Sequence, residues 1–204
     1  MELGERISRT WRAFFANREF LCCRRSPLGK RFELLTSLVS HSLFWCSGSW
    51  NLTRRQESRL RAVQHKMMMK MLGLRCLAGE SKGEYMARVG RKLKHLRTVH
   101  GIRLWHKVYL KSVYSWAGHV ARMGSYQESR LTHRILKFKN FQWIQSVAAD
   151  NGGSQLHGRK LRTWRWERPL YKQFADRQWE EEAQDKQSWT SRLDQMEEWW
   201  CNFR

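Results

Sequence analysis

The chain has 204 residues, with 39 Lys and Arg against 18 Asp and Glu, a formal net charge of +21 and a pI near 10.6. At 41% hydrophobic content and with 12 Trp, it carries too much large apolar surface for a wholly disordered chain and is long enough to bury a core. The charge makes a polyanion the natural partner, nucleic acid first and an anionic membrane surface second, although single Lys or Arg residues more often line solvated helix faces.

Glu2 and Glu5 in the first turn argue against a secretory signal. The longest uncharged stretch, 34–52, is broken by Ser, His, Thr and Gly, so it reads as a buried helix and not a membrane span. Five cysteines, with no C-x-x-C pair and no histidine at finger spacing, imply an intracellular, reducing compartment and no structural zinc.

Two prolines and little strand-like alternation predict a mainly α chain. It reads as an irregular assembly of about eight to ten helices, with long basic amphipathic helices near 52–72 and 99–123. The first helix is predicted from Glu5 to Cys23, with Ile7, Trp11, Phe14, Phe15 and Leu21 inward, stopping before Pro27. The second runs from Leu28 to Trp45 on Phe32, Leu35, Leu38, Val39 and Leu43, and meets a turn at Gly48. A third follows a cap at Asn51 or Thr53, with Gln56 at capping-box spacing and Gly73 beyond its last turn.

Leu60, Val63, Met67 and Met71 share one face of that third helix, and Arg55, Arg59, Lys66 and Lys70 gather on its flank, away from Arg61 and His65. A short helix is predicted near Glu80 to Val89. A long one from Val99 to Met123 buries Trp105, Val108, Tyr109, Val113, Trp116, Val120 and Met123, and turns Arg103, Lys107, Lys111 and Arg122 outward. Shorter helices at 127–138 and 141–148 precede the linker candidate Asp150-Asn151-Gly152-Gly153-Ser154.

Three regions are expected: a basic helical body at 1–149, a Gly-rich linker at 150–162, and a Trp-rich helical segment at 163–204. Residues 1–175 hold 35 basic and 10 acidic side chains, whereas 176–204 hold 4 and 8. The tail thus opposes the body in sign and offers it ion-pair partners.

The search for an enzyme is largely negative, with no Walker loop, G-x-G-x-x-G, H-E-x-x-H or G-x-S-x-G. Before Asp176 no two acidic residues are adjacent, whereas a two-metal site needs converging carboxylates. The run Glu180-Glu181-Glu182 with Asp185 is a poor metal site, because neighbouring side chains on a helix point apart. His119 has no partnered nucleophile or carboxylate in sequence reach and reads as packed or phosphate-facing. No catalytic residue, metal ligand or cofactor is predicted.

Four stretches resemble one family. Leu43-Phe44-Trp45-Cys46-Ser47-Gly48-Ser49-Trp50-Asn51-Leu52 is similar to the Leu-Leu-Tyr-Gly-Ser-Glu-Thr-Trp-x-Leu stretch that follows the palm in LINE-type (non-LTR) retrotransposon reverse transcriptases. The likeness continues through Glu57, Leu60, Arg61, Gln64 and Lys70-Met71-Leu72-Gly73. Trp116 to Met123 resembles a Trp-x-Gly-His-x-x-Arg-Met signature. Gly158-Arg159 to Arg165-Trp166-Glu167 and Trp179 through Asp185 to Trp189 resemble the Gly-Arg-Pro-x-x-Arg-Trp-Glu-Asp and Trp-x-x-x-Ala-x-Asp-Arg-x-x-Trp elements.

Cys46 stands for the family's Gly, Gly48 for its Glu, Lys160 for its Pro and Lys186 for its Arg, departures that suggest a diverged or decaying copy. The resemblance implies a thumb- or connection-like region that contacts RNA or DNA backbone and adjoins a polymerase palm. The palm's paired carboxylates have no counterpart here, so polymerisation by this chain alone is not expected. Trp50, Gly73, Trp116, Gly118, His119, Arg122, Arg165, Trp166, Asp185 and Trp189 are motif residues with a structural role. Arg55, Arg59, Lys66, Lys70, Arg103, Lys107, Lys111 and Arg122 are the candidate phosphate ligands. The alternatives are a retrotransposon remnant with no selected function and a helical protein-interaction module.

Overall fold

The computed structural model describes residues 3–50, 52–123, 179–193 and 195–196. The predicted helices at 127–138 and 141–148, the linker at 150–162, the cap Asn51 and the motif residues Arg165 and Trp166 lie outside them. The chain is mainly helical, with no strand among the described residues. It divides into two compact units, one of Met1–Ser47 with Arg54–Tyr109, the other of Gly48–Thr53 with Leu110–Arg204.

In the first unit, α1 (Leu3–Ala16) and α2 (Arg18–Leu21) replace the single predicted helix. The interruption is Asn17, whose φ of −107° leaves the helical region. Its Nδ2 donates to the Ala13 carbonyl at 2.9 Å, so the side chain supplies locally what a further helical turn would have supplied. Ile7, Phe14 and Leu21 are buried as expected, whereas Trp11 is half-buried and Phe15 is 48% exposed.

The second predicted helix becomes α3 (Leu28–Leu34), a π-helical turn at Leu35–Ser40 and α4 (His41–Phe44). Pro27, with φ −54° and ψ 134°, caps α3. A π turn is wider than an α turn, so Leu35, Val39 and Leu43 stay on the buried face while Leu38 rotates out to solvent. The Ser40 hydroxyl donates to the Leu35 carbonyl at 3.0 Å and accepts from Trp105 Nε1 at 2.9 Å, which ties the π turn to a residue 65 positions away.

Helix α5 (Arg54–Leu72) matches its prediction, with Leu60, Val63, Met67 and Met71 all buried. It ends where Gly73 adopts φ +63°. Gly73 N–H donates to the Lys70 carbonyl and Leu74 N–H to the Met69 carbonyl, the paired bonds of a left-handed helix terminus that a Cβ disfavours.

Helix α6 (Lys82–Val99) runs ten residues beyond the predicted end at Val89. Ser81 and Glu84 form a reciprocal capping box at its start, and burial continues from Val89 to Leu93 across the exposed Gly90. Its end repeats that of α5: Gly101 has φ +62°, with Gly101 N–H on the Thr98 carbonyl and Ile102 N–H on the Arg97 carbonyl. This turn is why the long helix starts at Trp105 and not at Val99, giving α7 (Trp105–Arg122). The division between the units falls within α7, after Tyr109.

In the second unit, Val113, Ala117, Val120 and Ala121 of α7 are buried, as are Trp179, Ala183, Trp189, Leu193 and Met196 of the tail. The tail forms α8 (Trp179–Glu182) and α9 (Lys186–Ser191). Asp185 caps α9 by accepting from Gln187 N–H at 2.9 Å.

Candidate nucleic-acid interface

Helix α5 sorts its side chains by turn. Its one acidic residue, Glu57, is buried beside Leu60, so it does not neutralise the outer flank. Arg55, Arg59, Lys66 and Lys70 are all exposed, and Arg55, Arg59 and Lys66 have no ion-pair partner among the described residues. Lys70, in the last turn, also complements the carbonyl end of the helix dipole. Its ammonium lies 5.4 Å from the centroid of the Phe15 ring.

The opposite flank is basic as well. Arg61 of α5 is exposed, while His65 and Arg97 are half-buried. The Nε2 of His65 is buried with no hydrogen-bond partner among the described residues. Burial, then the charges of Arg97 and Arg61, hold His65 below the ordinary imidazole value, which favours its neutral form.

The second predicted set divides. Arg103 is exposed and Lys107 half-buried in the first unit; Lys111 and Arg122 are half-buried in the second. Arg122 Nη1 donates to the Ala183 carbonyl at 2.7 Å, which gives this guanidinium an internal role.

Gly118, Arg122, Asp185 and Trp189 of the second unit come together around α7 and the tail. A Cβ on Gly118 would lie 2.3 Å from Trp189 Nε1, so the absent side chain is what lets the indole reach the helix backbone and donate to the Tyr114 carbonyl at 3.0 Å. Gln184 Nε2 donates to the Ala121 carbonyl two turns on. Trp179 and Trp189 pack with ring centroids 6.1 Å apart. Glu182 pairs with Arg192 and Asp185 caps α9, so two members of the acidic run already have structural partners. His119 is exposed and Trp50 half-buried.

Two positions that depart from the family pattern are conformationally distinct. Cys46 has φ +55°, the one non-glycine with positive φ among the described residues, at the position where the resembled stretch carries Gly. At Gly48 a Cβ would lie 2.6 Å from Trp116 Cβ and 2.7 Å from the Ser112 carbonyl, so the family's Glu does not fit this packing.

Two buried polar residues escaped the sequence reading as packing elements. Arg31, 5% exposed, donates from Nε to the Leu21 carbonyl at 2.7 Å and from Nη2 to the Met71 carbonyl, joining the ends of α2 and α5. Gln64, 1% exposed, donates to the Arg103 carbonyl and accepts from Trp105 N–H at 2.9 Å, capping the start of α7. No local pattern signals either, because the partners lie up to about forty positions away and an isolated Arg or Gln reads as surface.

Among the described residues no three His, Cys, Asp or Glu side chains are grouped to hold a metal, and no helix is long and apolar enough to cross a membrane. No family model, curated protein or solved structure matches the chain.

Proposed function

We propose that the chain is a non-catalytic arm that grips nucleic-acid backbone, and that it derives from the post-palm region of a LINE-type retrotransposon reverse transcriptase. The binding reading rests on one observation: α5 exposes Arg55, Arg59, Lys66 and Lys70 along a single flank while burying its only carboxylate. Lys and Arg in such a row neutralise phosphates without reading base edges. The family reading is supported by the left-handed backbone at Cys46 and by contacts among motif residues far apart in sequence, Gly118 with Trp189 above all. The tight fit at Gly48 counts on the other side.

A salt titration of binding to duplex DNA tests the grip. Four phosphates neutralised give log K against log salt a slope of about −3.6, at about −0.9 each. Replacing Arg59 or Lys66 with Gln lowers the slope by about one contact. Salt-independent binding, or none at about 50 mM salt, overturns the reading. An arm of this kind extends no primer with Mg²⁺, and extension abolished by one carboxylate substitution would overturn its non-catalytic character.

A further inference from the structure

We infer that the strand this chain prefers is single-stranded nucleic acid, with an unpaired base stacking at Phe15 where α1 meets the end of the basic flank of α5. The inference rests on the backbone-gripping function proposed above and names the form of nucleic acid it takes.

Phe15 is a large aromatic left 48% exposed beside a row of cations. It does not sit alone. Trp11, one turn earlier on α1, stacks against it at 5.6 Å with the planes 26° apart. Phe14, fully buried, meets both rings edge-on, at 5.6 Å from Trp11 and 5.8 Å from Phe15. The platform is therefore held from beneath by the core, so little side-chain entropy remains to be lost on binding.

On the α5 side, Lys70 caps the Phe15 ring at 5.4 Å. From Lys70 the exposed cations Lys66, Arg59 and Arg55 continue along the helix. Fifteen residues of helix at 1.5 Å per residue span about 22 Å, room for several consecutive phosphates. In the free protein the ammonium over Phe15 is a cation–π contact at an exposed site, a weak one. An arriving base takes the ring face and the ammonium moves to the adjoining phosphate, so both groups keep a partner.

A duplex cannot make this contact, because its base faces are already stacked inside the helix, whereas each base of a single strand offers a free π-face. A polyglutamate-like acidic peptide would satisfy the cations but offers the ring no aromatic face.

The test uses the full chain, measuring affinity for an oligonucleotide, for its duplex and for polyglutamate over a series of salt concentrations, with circular dichroism to confirm folding. Phe15→Leu keeps the apolar volume and removes the aromatic face. It is expected to weaken single-strand binding about 5- to 140-fold, the range of one lost base stack, and to leave duplex affinity and the salt slope unchanged. Phe15→Trp, with a larger face, is expected to tighten single-strand binding; where the Leu variant does not fold, unchanged or weaker binding by the Trp variant overturns the inference.

An unchanged single-strand affinity for Phe15→Leu, or an equal loss on duplex, overturns the inference while leaving the backbone grip intact. A Phe15-dependent preference for polyglutamate overturns it in favour of an acidic protein surface. Absence of binding to either nucleic acid removes both this inference and the function it rests on.

Discussion

At Cys46 the backbone sits at φ +55°, a conformation that brings Cβ against the following carbonyl and costs an L-residue about 1–2 kcal/mol. Glycine carries no such penalty, though it loses somewhat more conformational freedom on folding. Cys46→Gly is therefore expected to stabilise the chain by about 0.5–1 kcal/mol, seen as a higher urea midpoint at unchanged m-value. Cys46→Ala removes the thiol but keeps Cβ and should give no such gain; equal gains for both would assign the effect to the thiol. A cysteine gives no local sign of positive φ, so intrinsic propensity alone does not reveal this strain. Only the resemblance to a stretch that carries Gly there sets the position apart. Arg31 and Gln64 were less legible still, since each is explained by carbonyls supplied from distant turns.

Helices were legible where local signals agreed. For α5 the apolar period, the basic flank and Gly73 all pointed to the same boundaries, and the exposed cations followed from the period alone. For α6 they conflicted: Gly90 interrupts the pattern, the next turn is rich in Arg and Lys, and the helix continues because Leu93 finds burial. The two glycines of this region thus play opposite parts, and the same substitution separates them. Gly90 lies in mid-helix with open space around its Cβ position, so Gly90→Ala is expected to stabilise by about 0.5–1 kcal/mol. Gly101 also has open space, but its φ of +62° terminates α6, so Gly101→Ala should destabilise by about 1–2 kcal/mol. Thermal melts that shift the same way for both would mean that backbone conformation does not govern these sites.

For the molecule as a whole, salt acts on two quantities in opposite directions. A net charge of +21 repels itself in the folded chain more than in the expanded one. Among the described residues, the Glu5–Arg9 pair at 2.6 Å and the Lys30–Glu33 pair at 2.9 Å are exposed pairs on single helices, and such pairs contribute little. Repulsion therefore outweighs them. Raising NaCl from about 10 to 150 mM shortens the screening length from about 30 to 8 Å, so Tm should rise. For a chain of this size each kcal/mol of relief moves Tm by about 2–4 °C. Over the same range nucleic-acid affinity should fall, because released counterions lose their advantage. At low salt an added oligonucleotide should itself raise Tm, by binding the folded state and neutralising its flank. A Tm that falls with salt would show that ion pairs outweigh the net repulsion, and would shift the role of the excess charge from binding a polyanion to holding the fold.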